Sequence, residues 1–96
     1  MTFNNKIVVI TGASSGIGKE TAIEFAKLGA RLVLVARGKE KLEELEKSLV
    51  KFNTEVLVCP CDVSNKEHVK QMTSKVLDKF GKIDILVNNA GFAIYG

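Results

Sequence analysis

Three glycines and two serines stand between an apolar run and a helical run in the stretch "VVITGASSGIGKE", Val8 to Glu20. A parallel strand that delivers its chain into a helix leaves the first backbone N–H groups of that helix unpaired, and with the helix dipole they form an anion site. To use it, a ligand must come within hydrogen-bonding distance of the main chain, which Cβ atoms obstruct, and the turn must be tight enough to aim the helix. Gly12, Gly16 and Gly18 meet those requirements. Their spacing is GxxxGxG rather than GxGxxG, and it places glycines at the strand exit, beside the anion and within the first helical turn. A glycine-rich surface turn would have the same composition. What favours a diphosphate, and so a dinucleotide, is that the motif follows a buried-type strand, opens a helix and lies within a βαβ unit.

A second chemical signal sits at the end of the next apolar run, "LVARGKE". Dinucleotide folds select NAD with an acidic residue about 20 positions past the glycine motif, where it accepts hydrogen bonds from ribose hydroxyls. The expected acid position is Ala36, followed at once by Arg37. A group that would repel a 2′-phosphate is missing and one that would bind it is present, which points to NADP over NAD. The alternative is Arg37 as a solvated loop cation, and Lys39 is expected to turn outward. Cys59 and Cys61 flank Pro60, which is neither a CxxC spacing nor half of a zinc site, so both are expected to be reduced structural thiols. His68, the only histidine, lies among Lys66, Glu67 and Lys70 and reads as a solvated surface residue; no metal site is expected.

Ninety-six residues with 46% hydrophobic and 26% charged content suit one small globular domain. The net charge of +3 comes from opposite charges interspersed through "GKEKLEELEKSLVK" rather than from a basic block, which gives nucleic-acid binding little support. No segment reaches the ~18 apolar residues of a membrane span. The N-terminus "MTFNNK" lacks the apolar stretch of a signal peptide, so a cytoplasmic location is expected.

The elements that must position these residues alternate along the chain. "KIVVI" (6–10), "RLVLVA" (31–36) and "EVLVCP" (55–60) read as strands, with helices expected from about Ile17 to Leu28 and from about Lys39 to Lys51. A third helix and a fourth strand, "KIDILVNN", follow. Continuous runs of Val, Ile and Leu are how strands covered on both faces read, which implies parallel strands with helical crossovers. Gly29 and Gly81 are placed to end helices, and Ser64 with Glu67 forms an S-x-x-E capping box for the third. Leu42, Leu45 and Leu49, and likewise Val69, Met72, Val76 and Phe80, recur at helical spacing and should cover the sheet. The expected fold is α/β, a Rossmann-like doubly wound parallel sheet in partial form, with four strands and three helices in the order 3-2-1-4.

With those elements in place, "TGASSGIG" (Thr11 to Gly18) matches the TGxxxGxG motif of the short-chain dehydrogenase/reductase family, and "NNAG" (Asn88 to Gly91) its second signature. "CDV" (61–63) matches the family's adenine-side segment, and the whole chain resembles that family. The resemblance implies that groups around Ser14, Ser15 and Ile17 meet the phosphates and ribose, that Asp62 and Val63 flank the adenine, and that Asn89 and Gly91 lie along the cofactor. Asn88 would brace the sheet, or serve simply as a polar strand terminus. Members that prefer NADP show the same small residue followed by Arg; some add a basic residue at the position of Ser15, and this chain does not.

In the family, a Tyr acts as general acid and base, a Lys four residues later lowers its pKa, a Ser holds the substrate oxygen, and an upstream Asn completes a proton relay. All lie beyond the NNAG segment. Tyr95 is followed only by Gly96, so no catalytic residue is assigned. Residues 1–96 are therefore expected to be an NADP-binding domain forming the N-terminal part of a longer oxidoreductase fold acting on a carbonyl/alcohol pair, inactive by themselves. The alternative is a complete, non-catalytic nucleotide-binding or interaction module. In the order 3-2-1-4 the fourth strand is an edge whose Ile83, Ile85, Leu86 and Val87 read as buried on both faces, so homo-oligomers are expected.

Overall fold

The computed structural model describes residues 2–89. Strands β1 (Ile7–Thr11), β2 (Arg31–Ala36), β3 (Val56–Pro60) and β4 (Ile85–Asn88) form one sheet in the order β3-β2-β1-β4. Every pairing is parallel, and Val9 of β1 stands opposite Val33 of β2 and Leu86 of β4. Helices α1 (Gly16–Lys27), α2 (Lys39–Leu49) and α3 (Lys66–Phe80) make the crossovers. Fold class and strand order are those read from the sequence.

Alternation along the strands divides the core in two. Val8, Ile10, Leu32 and Leu34 face Ala22 and Ala26 of α1 and Leu42, Leu45 and Leu49 of α2. Ile7, Val9, Val33, Val35 and Cys59 face Met72 and Val76 of α3, with Val69 and Phe80 packed at the margin. Because β1 and the apolar part of β2 are covered on both sides, they carry no polar alternation.

Helix ends follow the glycines, with two departures at other positions. Gly29 (φ 87°) and Gly81 (φ 79°) stand in the left-handed region just past α1 and α3. α2 stops at Leu49, before the expected Lys51, because the chain tightens into a 3-10 turn, Val50–Phe52, closed by left-handed Asn53. The expected Ser64 capping box does not form. Asn65 caps α3, its Oδ1 accepting the amides of Glu67 (3.0 Å) and His68 (3.2 Å). Ser64 is drawn away because its hydroxyl donates to the Asp62 carboxylate at 2.6 Å.

β4 also departs from expectation. Leu86 is 53% exposed and Ile83 38%, because β4 has one neighbouring strand and no described element lies over that margin. Asp84 precedes the strand rather than interrupting it. Its amide donates to the Ile7 carbonyl at 2.9 Å, while Ile7 N–H donates to Asp84 Oδ2 at 2.8 Å. That amide holds the Asp84 carboxyl below its ordinary range, with Lys82, 3.2 Å away, adding to the effect.

Candidate functional site

The carboxyl ends of β1, β2 and β3 open onto one side of the sheet, where open α/β sheets bind ligands. Thr11 ends β1 and Gly12 turns the chain at φ 63°. Ala13 N–H donates to the Val35 carbonyl at 3.1 Å, fixing the turn against β2. Ser15 is the N-cap of α1: its hydroxyl accepts Gly18 N–H at 3.0 Å and donates to the Gly12 carbonyl at 2.8 Å, and its own amide donates to the same carbonyl at 3.1 Å. Ser15 thus holds the turn from inside. The amides of Gly16 and Ile17 are the orphan donors that a helix start leaves facing outward.

The glycines divide the work in a way spacing alone does not reveal. A Cβ on Gly18 would run into the Gly12 carbonyl oxygen and the Ala13 backbone, so Gly18 lets the helix seat against the turn. A Cβ on Gly16 would meet nothing within 4 Å, so the turn is open to its surroundings at that residue. Ile17 is 71% exposed beside it.

Alongside the turn is a cleft of about 640 Å³ lined by Gly12, Ser14, Ala36, Arg37, Gly38, Lys41 and the segment Cys61 to Ser64. Cys61 N–H donates to the Ala36 carbonyl at 2.8 Å, extending the β2–β3 pairing by one residue and delivering Asp62 to the mouth of the cleft. Asp62 Oδ1 accepts the Ser64 hydroxyl and, at 3.0 Å, the Ser64 amide. These two bonds hold its carboxyl below the usual range, and Arg37 and His68 lower it further. Arg37 Nη2 lies 3.7 Å from the same oxygen, with its side chain 80% exposed. His68 is exposed but not idle, since its Nδ1 accepts the Asp62 amide at 3.3 Å. Val63, half-buried, completes this wall.

At the other margin, Thr11 is the buried polar residue on which the ends of β1 and β4 converge. Its hydroxyl donates to Asn88 Oδ1 at 2.9 Å, and Asn89 N–H reaches Thr11 Oγ1 at 3.2 Å. Asn89 Nδ2 is buried with no partner among the described residues. Gly91 and Tyr95 lie outside the described residues.

Three residues acquire roles here that the sequence reading did not give them: His68, which accepts the Asp62 amide, Thr11, legible only as the opening of its motif, and Lys41, which joins Arg37 in the cleft lining once α2 starts at Lys39. These features fit a dinucleotide: a turn open at Gly16, the cations Arg37 and Lys41 lining a cleft, and a buried Asn89 amide with no partner among the described residues. Among the described residues there is no group of three or more His, Cys, Asp or Glu able to hold a metal, and no helix long and apolar enough to cross a membrane.

Fold and cleft together are those of a Rossmann-type α/β domain. The sequence profile of the short chain dehydrogenase family matches residues 6–96. An uncharacterised oxidoreductase of Listeria monocytogenes is 43% identical over 91 residues, covering 95% of this chain and 37% of that protein. An 11-beta-hydroxysteroid dehydrogenase-like protein of Arabidopsis thaliana is 48% identical, covering 90% of this chain and 28% of its own. Among solved structures, L-sorbose reductase from Gluconobacter frateurii, complexed with NADPH and L-sorbose, superposes with a TM-score of 0.91 at 49% identity, over 95% of this chain and 35% of that one. NAD+-bound xylitol dehydrogenase gives 0.91 at 38% identity, over 96% and 35%. This chain belongs to the short-chain dehydrogenase/reductase family, and it spans about a third of the length of these relatives.

Proposed function

We propose that residues 1–96 are the cofactor-binding part of an NADP-dependent oxidoreductase acting on a carbonyl/alcohol pair. The observation that carries the cofactor preference is the replacement of an acid at the end of β2 by Ala36, with Arg37 next to it on the wall of the cleft. An acid there would accept ribose hydroxyls and repel a 2′-phosphate; a guanidinium attracts it and offers paired donors. When bound, the nicotinamide supplies or accepts a hydride. The chain's own part is to bind and orient: the α1 turn takes the diphosphate, Ser14, Asp62 and Val63 bound the adenosine, and Asn89 and Gly91 carry the site toward the nicotinamide. No described residue is assigned to proton transfer. A cytoplasmic setting and a homo-oligomeric assembly belong to the same reading, the first supported by the two free cysteines and the second by the apolar β4 margin.

Charged hydrogen bonds contribute about 1.5–3 kcal/mol, and exposure of Arg37 puts it at the low end, roughly tenfold in affinity. Titrating NADPH and NADH into the wild type and into Ala36→Asp/Arg37→Ala tests the proposal. Tighter NADPH binding that reverses in the double variant is the expected result. Equal affinities in the wild type sink it.

A further inference from the structure

The proposed preference assigns the phosphate to Arg37, yet Arg37 already has a partner. Its guanidinium stands 3.7 Å from Asp62 Oδ1, and Asp62 cannot follow it outward because Ser64 holds that carboxylate through both hydroxyl and amide. The two opposite charges offset each other in part where they meet at the cleft. Of the remaining lining residues, Lys41 alone carries charge. Its ammonium makes no ion pair or hydrogen bond among the described residues. Lys41 is the third residue of α2, and the helix start at Gly38 brings it to the same wall as Arg37. Glu40 and Lys39 occupy the same turn, are exposed and do not line the cleft.

We infer that Lys41 is a specificity-determining residue for the 2′-phosphate, supplying the positive charge of the cleft that Asp62 leaves uncompensated. The inference rests on the NADP reading above and adds to it a division of labour. Arg37 offers directional donors but must exchange one anion for another. Lys41 offers a compact charge that exchanges only water for the phosphate, with no protein partner among the described residues to give up, so it carries a share of the discrimination that Arg37 cannot. A ligand without the phosphate gives Lys41 nothing to meet and gains nothing from it.

The test is calorimetric titration of adenosine 2′,5′-bisphosphate and adenosine 5′-monophosphate into the wild-type chain and into Lys41→Gln, Lys41→Arg and Lys39→Gln. Lys41 is exposed, so these variants should fold, which circular dichroism checks. The expected result is that Lys41→Gln lowers the preference for the bisphosphate roughly five- to tenfold, as for a partly exposed charge on a phosphate. Monophosphate affinity should hold, and Lys41→Arg should restore the preference. Lys39→Gln removes the same net charge from the same turn and should change nothing. An unchanged preference in Lys41→Gln overturns the inference, as does an equal loss in Lys39→Gln, which would make the effect one of overall charge. A wild type that binds both nucleotides alike overturns the NADP reading itself, and that outcome is visible before any substitution is compared.

Discussion

The turn from Gly12 to Gly18 and the edge from Asp84 to Asn88 bracket β1, and they are ordered in opposite ways. In the turn the constraints are short-range: Ser15 bonds to residues three away on either side, and Gly18 is required by the Gly12 carbonyl. At the edge they come from far along the chain. Ile7 and Asp84 are 77 residues apart, and so are Thr11 and Asn88. The first region is shaped by its own chemistry. The second depends on what lies beside it, which is why the turn is closed and the edge leaves Leu86 exposed.

The sharpest way to break this contrast is Gly18→Val. The clash is with backbone that has no flexible end to yield, so the helix must lift; roughly 3 kcal/mol should be lost, a fall of more than about 10 °C in Tm. Gly16→Ala should leave Tm nearly unchanged, since its Cβ meets open space, while weakening NADPH binding. Thermal melts that fail to separate the two substitutions would show that the turn is not set by the Gly12–Gly18 approach.

A smaller effect is expected at the edge. Ile83 and Leu86 are exposed apolar groups at the β4 margin, where backbone is unpaired, so the chain should self-associate at micromolar concentration. Leu86→Lys should weaken that association roughly tenfold, as an exposed edge charge does. Sedimentation decides the matter; a monomeric wild type with its β4 amides protected from hydrogen exchange counts against it.

The smallest effect concerns Asp84. Its carboxyl is held below the ordinary value of 3.8 by Ile7 N–H, so the charged form favours the fold. The resulting stability is fully present above that value and is lost as pH falls through the lower, folded one. Asp62 contributes with the same sign. Asp84→Asn keeps an acceptor for Ile7 but removes the charge, so urea unfolding between pH 7 and about pH 2 should show a shallower acid decline than the wild type. Superimposable curves would mean that the Ile7–Asp84 clasp contributes nothing measurable.

The same contrast explains what could be read in advance. The strand order follows from uninterrupted Val, Ile and Leu in β1 and β2, and Gly29 and Gly81 mark helix ends because few other residues tolerate that backbone. The glycine turn was legible because its logic is complete within seven residues. Ser64 misled because a capping serine and a serine bound to Asp62 have the same spacing to Glu67, and only the path out of β3 decides between them. Asp84 looked like a charge inside a strand because its partner, Ile7, lies at the far end of the sequence. Lys41 was hidden among the alternating charges of α2, where only the placement of the helix start separates a lining residue from a solvated one.

Cys59 and Cys61 are 3% and 5% exposed, and burial pushes both thiols up from their ordinary range. A thiol in that condition reacts with an alkylating reagent only after its surroundings part and it loses its proton. The two residues are therefore clocks, one placed in β3 and one just past its end. At fixed pH, the ratio of their labelling rates to that of an unstructured peptide measures how often β3 opens, over seconds to hours. Cys61 lines the cleft and Cys59 does not, so one clock also registers traffic through the site while the other keeps the time of the fold alone.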